Sequence, residues 1–101
     1  MSRPLTFHPL VQRDLNEILA YYEVEASAEV AARFEAELRS ALASIQEHPR
    51  QFSFYLKQRC YRRCSLPTFP HLILFRENSE SIRVMVLKHV KRAPSFGLRR
   101  R

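Results

Sequence analysis

The chain has 101 residues, 46% of them hydrophobic, with one glycine, two cysteines and a formal net charge of +7. That length suits one compact domain and excludes two, and the composition excludes a largely disordered chain. No apolar run approaches the ~20 residues of a membrane helix, and MSRPLTFHPL lacks the apolar centre of a secretion signal, so a cytoplasmic protein is expected.

The charge is unevenly placed. Residues 1–48 carry four Lys or Arg against eight Asp or Glu, a net of −4. Residues 49–101 carry thirteen against two, a net of +11. A one-sided basic surface draws polyanions such as nucleic acid or an acidic protein.

RPLTFH (residues 3–8) alternates Leu5 and Phe7 with polar neighbours and predicts a short strand. Pro9 suits the first turn of a helix. Val11, Leu15, Ile18 and Tyr22 then recur at helical spacing, predicting an amphipathic helix over residues 9–24. Ser27 is the expected N-cap of a second helix, with Glu29 in its first turn. Its apolar stripe is Val30, Phe34, Leu38, Ala41 and Ile45, and it must end near His48, because Pro49 disfavours helix in the residue before it.

The period then falls from 3.6 to 2. Residues 55–66 alternate, with Leu56, Cys60, Cys64 and Leu66 on one parity. In a strand, Cys60 and Cys64 would lie roughly 13 Å apart, beyond the ~7 Å a disulfide spans. Two buried or half-buried free thiols are expected, and neither a metal nor a cofactor. Residues 67–70 lead into LILF, RENSES turns the chain, and residues 82–90 return as the last strand. The expected order is β-α-α-β-β-β. This is an α+β domain of residues 1–101, with a helical hairpin on one face of a small, mainly antiparallel sheet and Arg99–Arg101 as a frayed tail.

On the last strand, Ile82, Val84 and Val86 share one parity and are assigned to the helix side. Arg83, Met85, Leu87 and His89 share the other, and Arg62 is expected to project to that open side. Both strands are apolar enough that the parity stays open.

Four stretches in this order carry a resemblance: FHPLVQRDLNEILAYY, HP after the second helix, RRCSLPTFPHLILF and VLKHVKRAP. Arg62 stands seven residues before Phe69-Pro70, and His89, Arg92 and Pro94 form an HxxRxP end to the last strand. The chain resembles the RelE/ParE superfamily of toxins from bacterial type II toxin–antitoxin modules, over nearly its whole length. The resemblance implies a plasmid-stabilisation-type toxin that arrests growth and is silenced by a cognate acidic antitoxin. The ParE-like branch blocks DNA gyrase and is not regarded as a nuclease. The RelE-like branch is a metal-independent endoribonuclease that cleaves messenger RNA on the ribosome.

The nuclease chemistry needs a base for the 2′-hydroxyl, a cation for the phosphorane and an acid for the leaving oxygen. Arg92 matches the family's Arg after the last strand. His71 stands where such nucleases carry a second Arg, and Phe96 or Leu98 stands near the place of a C-terminal Tyr. The candidates for catalysis are therefore His89, Arg92, Arg62 and His71. The departures favour the ParE-like branch, in which Arg62, Arg63, Arg76, Arg83, Lys88, Lys91 and Arg92 would bind the target or antitoxin, with Lys57 and Arg59 adding to the basic field.

Each residue has a structural alternative. Arg92 pairs with Asp14 or Glu17. Arg62 pairs with Glu77 or Glu80 across strands. His89 holds the strand end, and His71 is a satisfied core or sheet residue.

Overall fold

The computed structural model describes residues 3–56 and 60–101. Lys57 and Arg59 of the expected basic field lie outside the described residues.

β1 (Leu5–Phe7) leads into α1 (Val11–Glu25), α2 (Ala28–Glu47), a single 3-10 turn (Pro49–Gln51), β2 (Arg62–Ser65), β3 (His71–Glu77) and β4 (Ile82–His89). The helices sit close to their sequence-predicted places for the reasons the sequence supplies. Ser27 is extended, and its Oγ accepts a hydrogen bond from the Val30 amide at 3.1 Å. This satisfies one of the free donors of the α2 N-terminus. His48 closes the helix immediately before Pro49. α1 starts two residues after Pro9, with Leu10 at its N-cap. None of the described helices is long and apolar enough to cross a membrane.

The sheet order is β1-β4-β3-β2. β2, β3 and β4 run antiparallel, while β1 lies parallel to β4, with Leu5 beside Ile82 and Phe7 beside Val84. The long connection that this parallel pair requires runs through the helical hairpin and then β2 and β3. The hairpin covers one face, where Phe34, Leu38, Ala41 and Ile45 of α2 pack with Cys64, Ile73, Phe75, Ile82, Val84 and Leu87.

Three strand expectations are corrected. First, the alternation over residues 55–66 is not one strand, because Leu56 adopts φ 59°, which an extended strand cannot contain. Residues 53–55 instead fold back on 61–63, with the Tyr55 amide donating to the Tyr61 carbonyl at 2.7 Å. Cys60 is consequently exposed, and Cys64 alone is a buried free thiol. Second, the pairing slips between Leu74 and Phe75, which sit opposite Val86 and Val84. Met85 is the extra residue of a β-bulge, and a bulge reverses the parity beyond it. Ile82 and Val84 do face the helices, but Val86 faces away and Leu87 faces the helices. Third, Arg62 shares the parity of Cys64 and stands opposite Phe75, so it lies on the helix side and not the open side.

The second face is not open along its whole length. Leu72, Leu74, Met85 and Val86 form a second cluster with Tyr55 and Tyr61, over which Phe96 and Leu98 of the C-terminal segment pack. Gly97 lies against Val86 at φ 79°, where a Cβ would collide with the valine side chain. Arg99–Arg101 is not simply frayed. Arg100 forms a bidentate pair with Asp14 at 2.6 and 2.9 Å and also donates to the Met85 carbonyl at 3.0 Å. Asp14 Oδ2 in turn accepts from the Leu87 amide at 3.1 Å. β1 ends beside Val84, and this ion pair satisfies the β4 backbone just beyond it.

Candidate functional site

His71 opens β3 and His89 closes β4, and the two are direct cross-strand partners. Their ring centroids are 5.2 Å apart with the planes at 76°. After the parity change both face the α1 side. There α1 brings Tyr21 and Tyr22 over them, and a cavity of about 390 Å³ opens between helix and strand ends. Its lining includes Glu17, Ile18, Tyr21, Tyr22, His71, Leu87, His89 and Arg92. The tyrosines were legible as helix residues, but nothing in their spacing announces that α1 crosses the strand ends.

His71 is buried among Tyr22, Phe34 and His89. Burial, reinforced by repulsion from His89, pushes its pKa down to about 4, so the ring is neutral near pH 7. Its Nδ1 is buried without a hydrogen-bond partner among the described residues. His89 is half-buried, and its Nδ1 accepts from the Lys91 amide at 3.0 Å. That bond makes Nδ1 an acceptor and leaves Nε2 as the other functional atom of the ring. Arg92 is exposed, with its guanidinium 3.8 Å from the Phe96 ring centroid. Neither proposed acidic partner engages it. Asp14 is held by Arg100, and Glu17 pairs with Arg13 at 3.3 Å. Burial and neighbouring Tyr21 raise the Tyr22 pKa, which makes its phenol a poor base.

Arg62 does not join this group. It stands opposite Phe75, at the other end of the sheet from the His71–His89 pair. Its Nη1 donates to the Phe52 carbonyl at 2.7 Å, its guanidinium lies 4.1 Å from the Phe54 ring centroid, and its Nε is 3.7 Å from Glu77. Glu77 also pairs with Arg3 and, at 3.4 Å, with Arg50. Burial works to raise the Glu77 pKa, but these guanidinium partners outweigh it and the net shift is downward. Arg62 is the cross-strand ion-pair residue of its alternative reading.

The remaining cations divide in two. Lys88 is buried on the second face, where its Nζ donates to the Tyr55 hydroxyl at 3.1 Å and to the Ala93 carbonyl at 2.9 Å. It fastens the C-terminal segment and is inaccessible to a partner. Lys91 and Arg92 are exposed at the strand end, and Arg63, Arg76 and Arg83 lie on the face away from the helices. Among the described residues no group of three or more His, Cys, Asp or Glu is placed to hold a metal ion.

Residues 5–94 match the family model described as the ParE toxin of type II toxin–antitoxin system, parDE. The fold is similar to a solved chain from the chromosomal ParDE toxin–antitoxin system of P. aeruginosa, with a TM-score of 0.77 and 18% sequence identity. That match covers 87% of this chain and 96% of the other. No curated protein matches. Two helices on a four-stranded, mostly antiparallel sheet, together with a family match over nearly the whole length, place this chain in the ParE toxin family of type II toxin–antitoxin systems.

Proposed function

We propose that this toxin arrests growth in the bacterial cytoplasm by binding and blocking DNA gyrase, and that a cognate acidic antitoxin neutralises it. The observation that carries this reading is the state of two of the four nuclease candidates, His71 and Arg62, although His71, His89 and Arg92 line one cavity. His71 is neutral and buried, Arg62 is tied to Phe52 and Glu77 at the far end of the sheet, and the Tyr22 phenol over His71 has its pKa raised by burial. A surface that binds without moving protons needs none of these. It needs accessible cations and a concave apolar seat, and both occur where exposed Arg92 lines the cavity over Ile18, Tyr21 and Tyr22, with exposed Lys91 next to it in the chain.

A supercoiling assay with purified gyrase tests the reading. Inhibition is expected, and Arg92→Ala should weaken it while leaving the melting temperature nearly unchanged. No inhibition at large excess overturns it. The antitoxin part is tested separately, by co-purification of the pair at about 0.15 M salt, where surface charges are screened beyond ~8 Å.

One observation favours a second reading, a ribosome-dependent endoribonuclease. His89 and Arg92 line one cavity, and among the described residues the only hydrogen bond to the His89 ring is the one that Nδ1 accepts from Lys91. Primer extension on a reporter message in a translation extract decides between the two. Intact transcripts with continued translation exclude the nuclease.

A further inference from the structure

The face of the sheet away from the helices ends in a row of arginines. Arg76 and Arg83 are direct cross-strand partners on β3 and β4. Arg63 on β2 stands opposite Leu74, two residues before Arg76, and so is its diagonal neighbour. Like charges directly opposed weaken a sheet, yet among the described residues none of the three forms an ion pair. Arg3, Arg13, Arg50, Arg62 and Arg100 all do. Arg63 and Arg76 are exposed and Arg83 is half-buried. Their field extends to His8, whose pKa is lowered by burial first and then by Arg100, Arg83 and Arg76.

We infer that this face is a sequence-independent site for the backbone of duplex nucleic acid, with Arg63, Arg76 and Arg83 each taking one phosphate. Guanidinium forks match phosphate oxygens two at a time. Exposed Thr6, the partner of Arg83 on β1, adds a hydroxyl donor at the end of the row. An acidic peptide fits less well. The apolar residues of this face, Leu72, Leu74, Met85 and Val86, are all buried under Tyr55, Tyr61 and the C-terminal segment. A peptide would find ion pairs alone, each contributing about 0–1 kcal/mol at an exposed site. A duplex gains in addition from release of its condensed counterions. A flat sheet face with short cation spacing touches backbone and does not enter a groove, so no base is read.

The inference does not depend on gyrase being the target. Its test is fluorescence anisotropy of the full chain with a labelled random duplex of about 20 base pairs, two helical turns. Salt is varied from about 50 to 200 mM. Three phosphate contacts contribute about −2.7 to the slope of log K against log salt, or about 40-fold in affinity over that range. The triple variant Arg63→Gln/Arg76→Gln/Arg83→Gln should lose about that much slope, and Arg76→Gln alone about a third of it. Arg13→Gln on α1 should leave the slope unchanged. The exposed sites make folding of the triple variant straightforward to verify by circular dichroism. No duplex binding at the lowest salt overturns the inference. So does an unchanged slope in both the triple and the single variant, or a polyglutamate peptide that binds as tightly as duplex of equal charge.

Discussion

The two faces of the sheet are built on different principles. The helix face is closed by long apolar stripes from two helices, and its core residues Phe34, Ile45, Ile73, Phe75 and Ile82 are fully buried. The second face is closed in part by Tyr55, Tyr61 and a C-terminal segment without regular structure, and its uncovered part displays arginines. Few apolar groups hold that segment. Polar ties supplement them: Arg100 to Asp14, Lys88 to the Ala93 carbonyl, and the Tyr55 hydroxyl to the Pro94 carbonyl at 3.1 Å. An apolar core depends on volume and tolerates small shifts, whereas a buried ion pair depends on both partners being present.

Five substitutions break or sharpen this contrast. The largest effect is expected on the helix face. Phe34→Ala opens a cavity among Tyr22, Phe69 and His71 and should cost about 3–5 kcal/mol in urea unfolding. Asp14→Ala comes next. It leaves the Arg100 guanidinium and the Leu87 amide without their acceptor, at a cost of about 3 kcal/mol or more. Hydrogen exchange should tell the two apart, because Asp14→Ala releases the amides of residues 96–100 first, while Phe34→Ala weakens protection throughout. Adding Arg100→Gln to Asp14→Ala should restore part of the loss, since it removes the unpaired charge. If the double variant is as unstable as the sum of the single ones, the pair is not the clasp described here.

His71 gives the contrast a pH dependence. Its folded pKa of about 4 lies below the ordinary histidine value of 6.5, so the unfolded chain binds more protons between those values. Stability from this group is therefore complete above about pH 6.5 and falls as the pH drops towards 4. The difference amounts to about 3 kcal/mol at full extent. On acidification through that window the parent should lose stability relative to His71→Phe, in denaturation series at matched ionic strength. A constant gap contradicts the burial of a neutral ring. The smallest effect is expected from Ser27→Ala, about 1 kcal/mol for the lost cap bond to Val30. It should lower the melting temperature without altering exchange in the C-terminal segment.

How far the sequence was legible follows from the range of the interactions. Both helices could be read because their stripes, the Ser27 cap and the Pro49 stop act within a few residues. The order of elements could be read from the change of period. The face of each strand residue could not. A single bulge at Met85 sends Val86 to one side and Leu87 to the other, and no turn residue in RVMVLK marks it. Arg62 was expected beside the other open-face cations but lies across the sheet, because it shares the parity of Cys64 and stands opposite Phe75. Of the candidate site, His89 and Arg92 were legible as neighbours at the end of the last strand, but the pairing of His71 with His89 on the helix side depended on strand register. The tyrosines over them depended on how α1 docks.

By itself the sequence determined the local elements, the acidic and basic halves, and the stretches that resemble the toxin family. These rest on propensity, periodicity and composition, which are properties of neighbouring residues. Only the tertiary structure decided that Asp14 clasps Arg100 from 86 positions away, that Lys88 is an internal fastener, and that Arg63, Arg76 and Arg83 form one row. Each of those outcomes requires register and docking angle. Those are set by the packing of the whole core, and no window of sequence contains it.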